Sequence, residues 1–162
     1  MIRVEGWPEP VERVAAVLRA SAVESRLEEF PEGTPTASAA ARAVGCELPQ
    51  IVKSLVFVCD GRPVLALVPG HLRADAAKVS AAAGAREARV ARPEEVVEAT
   101  GFEPGAVAPF PAPKVARVLI DRSLLRHDLV WIGAGSPRHM AGLAPHDLVR
   151  LAKAEIGDLA EA

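Results

Sequence analysis

Apolar residues recur every three to four positions over residues 11–20, where Val11, Val14, Val17 and Leu18 share one face. This spacing predicts an amphipathic helix. Pro10 suits its first turn, because the N–H that proline lacks would be unpaired there. Val23, Leu27 and Phe30 suggest a short strand ended by Pro31, and Glu32-Gly33-Thr34-Pro35 has turn chemistry. Thr36 is placed to cap an Ala-rich helix that runs to Val44 and stops at Gly45. The clearest strand covers residues 51–58, Ile-Val-Lys-Ser-Leu-Val-Phe-Val. Asp60-Gly61 is a hairpin turn, and residues 62–68 return as a nearly all-apolar second strand ended by Pro69-Gly70. A helix over residues 75–83 stops at Gly84, and a short strand follows at 88–91. Pro93 opens a helix to about Thr100, with Glu94 and Glu95 in its first turn. Strands are expected at 115–120 and 129–132, a pairing segment at 140–143, and a closing helix at 145–151.

Residues 101–113 break this rhythm. Four Pro and two Gly in thirteen residues exclude a regular element, yet the segment is too apolar for a solvated linker. It reads as an ordered loop packed onto the domain, and such loops often carry function. Strands come in hairpin pairs with helices at irregular intervals. That pattern predicts an α+β fold with a mixed, largely antiparallel, barrel-like sheet surrounded by helices, rather than a doubly wound parallel sheet. The 162 residues fit one domain, taken as 1–162, with no internal repeat.

Composition narrows the function classes. Half the residues are hydrophobic and the formal charge is −2, so the chain is not disordered. No global positive field exists to recruit phosphates, and with four Phe, two Trp and no Tyr there is no platform for stacking bases. Fifteen of the nineteen cations are Arg, which high genomic GC accounts for as well as phosphate recognition does. No stretch approaches the ~18 apolar residues of a membrane span. The first five residues carry no export signal, so the expected location is cytoplasmic. Cys46 and Cys59 match no zinc spacing and read as reduced thiols.

Lys53 is the most informative residue. It alternates with Ile51, Leu55 and Phe57 on one strand face, while Val52, Ser54, Val56 and Val58 occupy the other. A lysine in so apolar a strand must reach an opening, pair with an anion or shift its pKa downward, unless it snorkels from a strand end. The second feature is Gly133-Ala134-Gly135-Ser136-Pro137-Arg138-His139, directly after a strand. Such a turn can aim amide groups at an anion. It lacks the glycine of a nucleophile elbow after Ser136 and the third glycine of a dinucleotide loop, and a plain sheet-edge turn is the simpler account. His139 can be a base, a donor or a pocket wall. His71, His127 and His146 show no metal-ligand spacing, and Asp121 beside Arg122 reads as a structural pair or turn.

The block Gln50-Ile51-Val52-Lys53-Ser54-Leu55-Val56-Phe57 resembles the YbaK/EbsC family, which includes the prolyl-tRNA synthetase editing domain and its free-standing relatives. Further blocks carry the resemblance along nearly the whole chain. They are Gly45-Cys46, Asp60-Gly61-Arg62-Pro63-Val64-Leu65, Thr100-Gly101-Phe102-Glu103-Pro104-Gly105, Asp121-Arg122-Ser123-Leu124-Leu125 and Gly135-Ser136-Pro137-Arg138-His139. The resemblance implies a YbaK-like fold and hydrolysis of the ester in misacylated tRNA(Pro), acting in trans, with Ala- or Cys-tRNA(Pro) as substrate. It implies Lys53, Gly105 and His139 as catalytic residues. Ala106, Val107, Ala108 and Pro109 of a Gly-x-x-x-Pro loop, with Gly135 and Ser136, would bind substrate. It implies no metal, no cofactor and no covalent intermediate. The partners implied are the aminoacylated 3′ end of tRNA and a prolyl-tRNA synthetase, with no membrane and no fixed oligomeric state. Relatives often place a Tyr hydroxyl near the pocket, and this chain has none. Two other readings stand beside this one: a non-catalytic module that binds aminoacyl-adenosine and partners a synthetase, and a serine hydrolase using Ser136.

Overall fold

The computed structural model describes residues 6–162, so residues 1–5, on which the absence of an export signal was read, lie outside the described residues. The chain forms an α+β domain whose strands divide into two sheets. The larger sheet has the order β4-β2-β3-β5-β8, with β2 at Val52–Cys59, β3 at Arg62–Pro69, β4 at Ala88–Val90, β5 at Arg117–Asp121 and β8 at Glu155–Gly157. The smaller is β1-β7-β6, with β1 at Ser25–Glu29, β6 at Val130–Gly133 and β7 at His139–Leu143. The small sheet is wholly antiparallel, whereas β3 pairs parallel to β5 and β5 parallel to β8. The mixed character is as the sequence predicts. The barrel-like closure does not form, because β6 meets β2 only at an isolated parallel bridge between Ile51 and Trp131.

Local chemistry explains the element boundaries. Helix α1, Glu9–Ser21, starts with Pro10 in its first turn and buries Val11, Val14, Ala15 and Leu18. The Thr36 hydroxyl accepts the Ala39 N–H at the start of α2, Ala37–Val44, and Gly45 ends that helix in the left-handed conformation. Asp75 caps α3, Ala76–Ala82, by accepting from Ala77 and Lys78. Helices α4, Pro93–Thr100, and α5, Pro145–Ala152, each carry a proline in the first turn. Between β2 and β3, Asp60 at φ 50° and Gly61 at φ 83° make a two-residue turn of the kind that matches strand twist.

The continuous apolar run of β3 has its reason in burial on both faces. Leu65 and Leu67 face the main core, which lies between the two sheets and includes Val56, Ile120, Val130, Ile132 and Leu143. Val64, Ala66 and Val68 face a second layer closed by Val79 of α3 and Leu159. Each fully buried side chain of this size contributes about 1.5–3 kcal/mol. The proline-rich loop belongs to the main core, where Phe102, Val107, Ala108 and Phe110 are all buried.

Asp121 is a buried carboxylate with a structural task. It accepts the Ser123 hydroxyl and N–H, and it also accepts the Leu159 and Ala160 N–H groups at 2.8 and 3.2 Å. The C-terminal segment is thereby fastened to the end of β5. Burial alone would raise the Asp121 pKa, but these hydrogen bonds outweigh it and hold the carboxyl below its ordinary value. A depressed folded-state pKa contributes stability that is fully present above the unfolded value of about 3.9 and is lost as pH falls through the folded value. Asp121→Ala, which leaves buried N–H groups unpaired, is expected to cost about 2–3 kcal/mol in urea melts at pH 7. That difference from the unsubstituted protein should shrink on acidification into and below the carboxylate range.

Candidate active site

The cleft exists because one strand edge is left unpaired. β4 covers only Phe57–Cys59 of β2, and beyond the Ile51–Trp131 bridge the two sheets diverge. Among the described residues no strand pairs with positions 52–55 on that side. The wedge between the sheets holds a cleft of about 250 Å³. One wall is residues 51–55, a second is Thr34 to Ala37 with Ala40, and a third is Gly133, Ser136, His139 and Met140. Gly105 and Val107 line it from the proline-rich loop. That loop packs so closely on β6 that a Cβ at Gly133 would lie 3.1 Å from the Val107 carbonyl oxygen.

Lys53 is the single charged side chain among the residues lining the cleft. It is half-buried, and its ammonium donates to the Leu72 carbonyl oxygen. Of the routes open to a lysine in an apolar strand, it takes the opening and also shifts its pKa. Burial, and then the nearby Arg73 guanidinium, push it below the ordinary lysine value. The neighbouring Ser54 also lines the cleft, and its buried hydroxyl has no hydrogen-bond partner.

Opposite stands a Ser–His contact. The Ser136 Oγ lies 2.5 Å from His139 Nδ1 and accepts the Arg138 N–H at 3.0 Å. His139 is 4% exposed, and the Trp7 ring meets it edge-on with centroids 5.4 Å apart. Burial pushes its pKa down; the Glu29 charge opposes this and the Arg138 charge adds to it. The ring is therefore neutral at pH 7. The Ser136 hydroxyl keeps a second lone pair after accepting the Arg138 N–H, so the Nδ1 contact forms in either tautomer; with the serine proton turned to Nδ1, the imidazole proton is on Nε2.

The structure brings Lys53, Gly105, Val107, Ser136 and His139 to one cleft. It does not bring Ala106, Ala108, Pro109 or Gly135 to the lining. The Ala106 N–H is spent on the Glu103 carbonyl, and Ala108 is fully buried in the main core. Gly135, at φ +98°, faces α1, where a Cβ would sit 2.7 Å from the Pro10 carbonyl oxygen. Its place is structural: it lets the turn lie against α1 and so fixes Ser136 and His139. Sequence reading missed Thr34, Ala40, Ser54 and Met140 as lining residues. Only Ser54 had a signal, as the one polar residue on its strand face. The cleft offers one imidazole and no carboxylate or thiol, which is not a metal-ligand set.

Comparison with known proteins places this geometry in context. Residues 31–151 match the family described as the aminoacyl-tRNA editing domain. The chain is 35% identical over 126 residues to the uncharacterized protein YwhH of Bacillus subtilis, covering 77% of this chain and 80% of that one. It is 36% identical over 107 residues to a proline–tRNA ligase of Nitratidesulfovibrio vulgaris, covering 65% of this chain but only 18% of the ligase. Among solved structures, one described as "a putative trans-editing enzyme for prolyl tRNA synthetase" superposes with a TM-score of 0.88 at 37% identity, covering 97% of this chain and 100% of that one. The hypothetical protein APE2540 superposes with a TM-score of 0.85 at 30% identity, covering 92% and 99%.

The neutral, Nε2-protonated His139 is open to direct measurement. In nitrogen-detected NMR titrations its ring is expected to show that tautomer at pH 7 and a midpoint below the ordinary ~6.5. Ser136→Ala should remove the tautomer preference; a midpoint above 6.5 in the unsubstituted protein would contradict the assignment.

Proposed function

The chain belongs to the aminoacyl-tRNA editing domain family, and on that premise we propose that it hydrolyses the ester of a misacylated tRNA(Pro), carrying alanine or cysteine, whose 3′ end enters the cleft beside Lys53. The observation that carries this reading is Lys53 as the single charged lining residue of an otherwise neutral cleft. Ester hydrolysis builds negative charge. Water adds to the carbonyl carbon to form a tetrahedral oxyanion. The bond to the ribose oxygen then breaks, releasing the free amino acid, and the proton from water ends on that oxygen. A fixed cation in a partly dry site stabilises that charge, or the terminal phosphate beside it, more than water does.

An aminoacyl ester is already activated, so positioning supplies much of the rate. Backbone N–H groups of the loop at Gly105 and Val107 would face the carbonyl. The vicinal ribose hydroxyl would help to activate water, in keeping with a cleft that contains no carboxylate base. A volume of about 250 Å³ lies below the ~300–1,000 Å³ of sites that enclose a drug-sized ligand. The cleft would then take the aminoacyl end and leave most of the tRNA outside. Its walls are small at Ala37, Ala40, Gly105 and Gly133, which favours small amino acids. A methylene is worth only ~1–3 kcal/mol, so alanine and cysteine would both be accepted. The proposed setting is the cytoplasm, acting in trans to a prolyl-tRNA synthetase.

The 2.5 Å Ser136–His139 contact favours one other reading, in which Ser136 is a nucleophile that forms an acyl-enzyme. No carboxylate hydrogen bond to the His139 ring supports it among the described residues, and the serine is tied into its own turn.

The deciding experiment is a deacylation panel in which tRNA(Pro) carries Ala, Cys, Ser, Thr or Pro. Release of Ala and Cys with Pro spared is expected. Lys53→Ala should lower kcat/KM by about 10²–10³-fold, the size typical of losing one oxyanion stabiliser. Full rate in that variant overturns the mechanism. Binding of a non-hydrolysable aminoacyl-adenosine with no turnover of any ester would favour the binding-module reading. Ser136→Ala should abolish turnover only in the acyl-enzyme reading. In the same assays the dependence of tRNA affinity on salt is expected to be shallow, with a slope matching about one to three phosphate contacts. A slope several times steeper would show extended backbone contact.

A further inference from the structure

Ser54 lines the cleft, and its hydroxyl is buried and has no hydrogen-bond partner. Every other hydroxyl on the cleft wall is engaged. Thr36 Oγ1 accepts the Ala39 N–H, Thr34 Oγ1 donates to the Pro137 carbonyl, and Ser136 Oγ both accepts from Arg138 N–H and meets His139 Nδ1. A hydroxyl kept dry without a partner is unfavourable, so a strand that folds around one is holding it for something.

The rest of the wall says what is missing. Lys53 supplies only donors, and with the Ser136 proton turned to His139 Nδ1 the imidazole presents only its Nε2–H. No carboxylate lines the cleft. An aminoacyl ester brings a carbonyl oxygen, which such donors suit, and an α-amino group, which is itself a donor and finds no anion there. Ser54 is the buried hydroxyl on this wall with both lone pairs unspent. Strand alternation turns it away from Lys53, toward the face that carries Val52 and Val56, so the two would meet different parts of one ligand.

We propose that Ser54 Oγ is the cleft's acceptor for the α-amino group of the bound aminoacyl ester, a contact that rests on the deacylase reading above. It makes Ser54 a substrate-contact residue that selects for an α-amino acyl group over a plain acyl group.

The test crosses Ser54→Ala with removal of the amino group from the substrate, as a double-mutant cycle. The two substrates are one tRNA(Pro) esterified with alanine or with propionic acid. Ser54→Ala is expected to melt at the same temperature as the unsubstituted protein or higher, because it deletes an unsatisfied buried hydroxyl. It should lower kcat/KM on the alanyl ester about tenfold, the size of one hydrogen bond to a charged group. On the propionyl ester the two proteins should be equal. An equal loss on both esters, no loss on the alanyl ester, or a lowered melting temperature would each overturn the proposal. If the unsubstituted protein hydrolyses no ester at all, the deacylase reading falls by itself. The contact is then judged by affinity for the alanyl and propionyl amides of 3′-amino-adenosine. Weakening of the alanyl amide alone by Ser54→Ala supports the contact, and any other pattern removes it.

Discussion

The parallel bridge between Ile51 and Trp131 is the constraint on which the site depends. Both residues are almost fully buried, at 3% and 1% exposed, and Ala40, Ala41 and Met140 pack on them. The bridge holds the two sheets together at one point and lets them part beyond it. Had the pairing continued, residues 52–55 would be hydrogen-bonded to β6 and the strand edge would be closed. An unpaired strand edge normally invites another strand, and proteins cover or blunt it. Here the covering is the proline-rich loop, too irregular to pair and too apolar to leave. The free edge thus becomes the wall of the candidate cleft.

The electrostatics of the domain follow the same geometry. The buried Asp121 and the half-buried Lys53 are treated in opposite ways. Asp121 is given hydrogen bonds from two places in the chain, ends up more acidic than in water, and closes the fold. Lys53 is given one carbonyl and a nearby like charge, so its charged form is left under-compensated. Folding gains from the first arrangement and loses from the second. A cation held without an anion is a deficit that a negatively charged ligand or transition state can fill, which is the usual physical mark of a site. The neutral His139 adds no second charge.

Much of the fold was legible because it rests on local chemistry. Thr36, Asp75 and the prolines at 10, 93 and 145 act on the residues beside them and mark where the helices begin, and Gly45 marks where α2 ends. The hairpin at Asp60-Gly61 and the two-sided burial of β3 were likewise written in turn chemistry and an unbroken apolar run. What the sequence hid was non-local. Strand β8 is three residues long with Ile156 56% exposed, so it carries no periodic signal. The division into two sheets depends on a single bridge that leaves no pattern at Ile51 or Trp131. At the site, Lys53 stood out because it broke the alternation of its strand. The loop at 105–109 was recognised as a unit, but which of its atoms face the cleft depends on packing against Gly133, eighty residues from Lys53. Gly135 looked like a ligand-facing glycine, and its close approach is to α1 instead.

Seven of the fifteen arginines are taken up in ion pairs. Arg13, Arg19, Arg26, Arg89, Arg92, Arg117 and Arg150 each lie against a carboxylate. Exposed pairs of this kind add at most about 1 kcal/mol each to stability. Their larger effect is on the field, since a paired arginine offers little net attraction to a distant phosphate. On the proposed function, discrimination comes from the few groups at the cleft: one cation, a neutral imidazole, the loop amides and a buried hydroxyl without a partner. That is a chemistry suited to reading an aminoacyl end, and it leaves recognition of the rest of the tRNA to short-range contacts or to a partner that presents it.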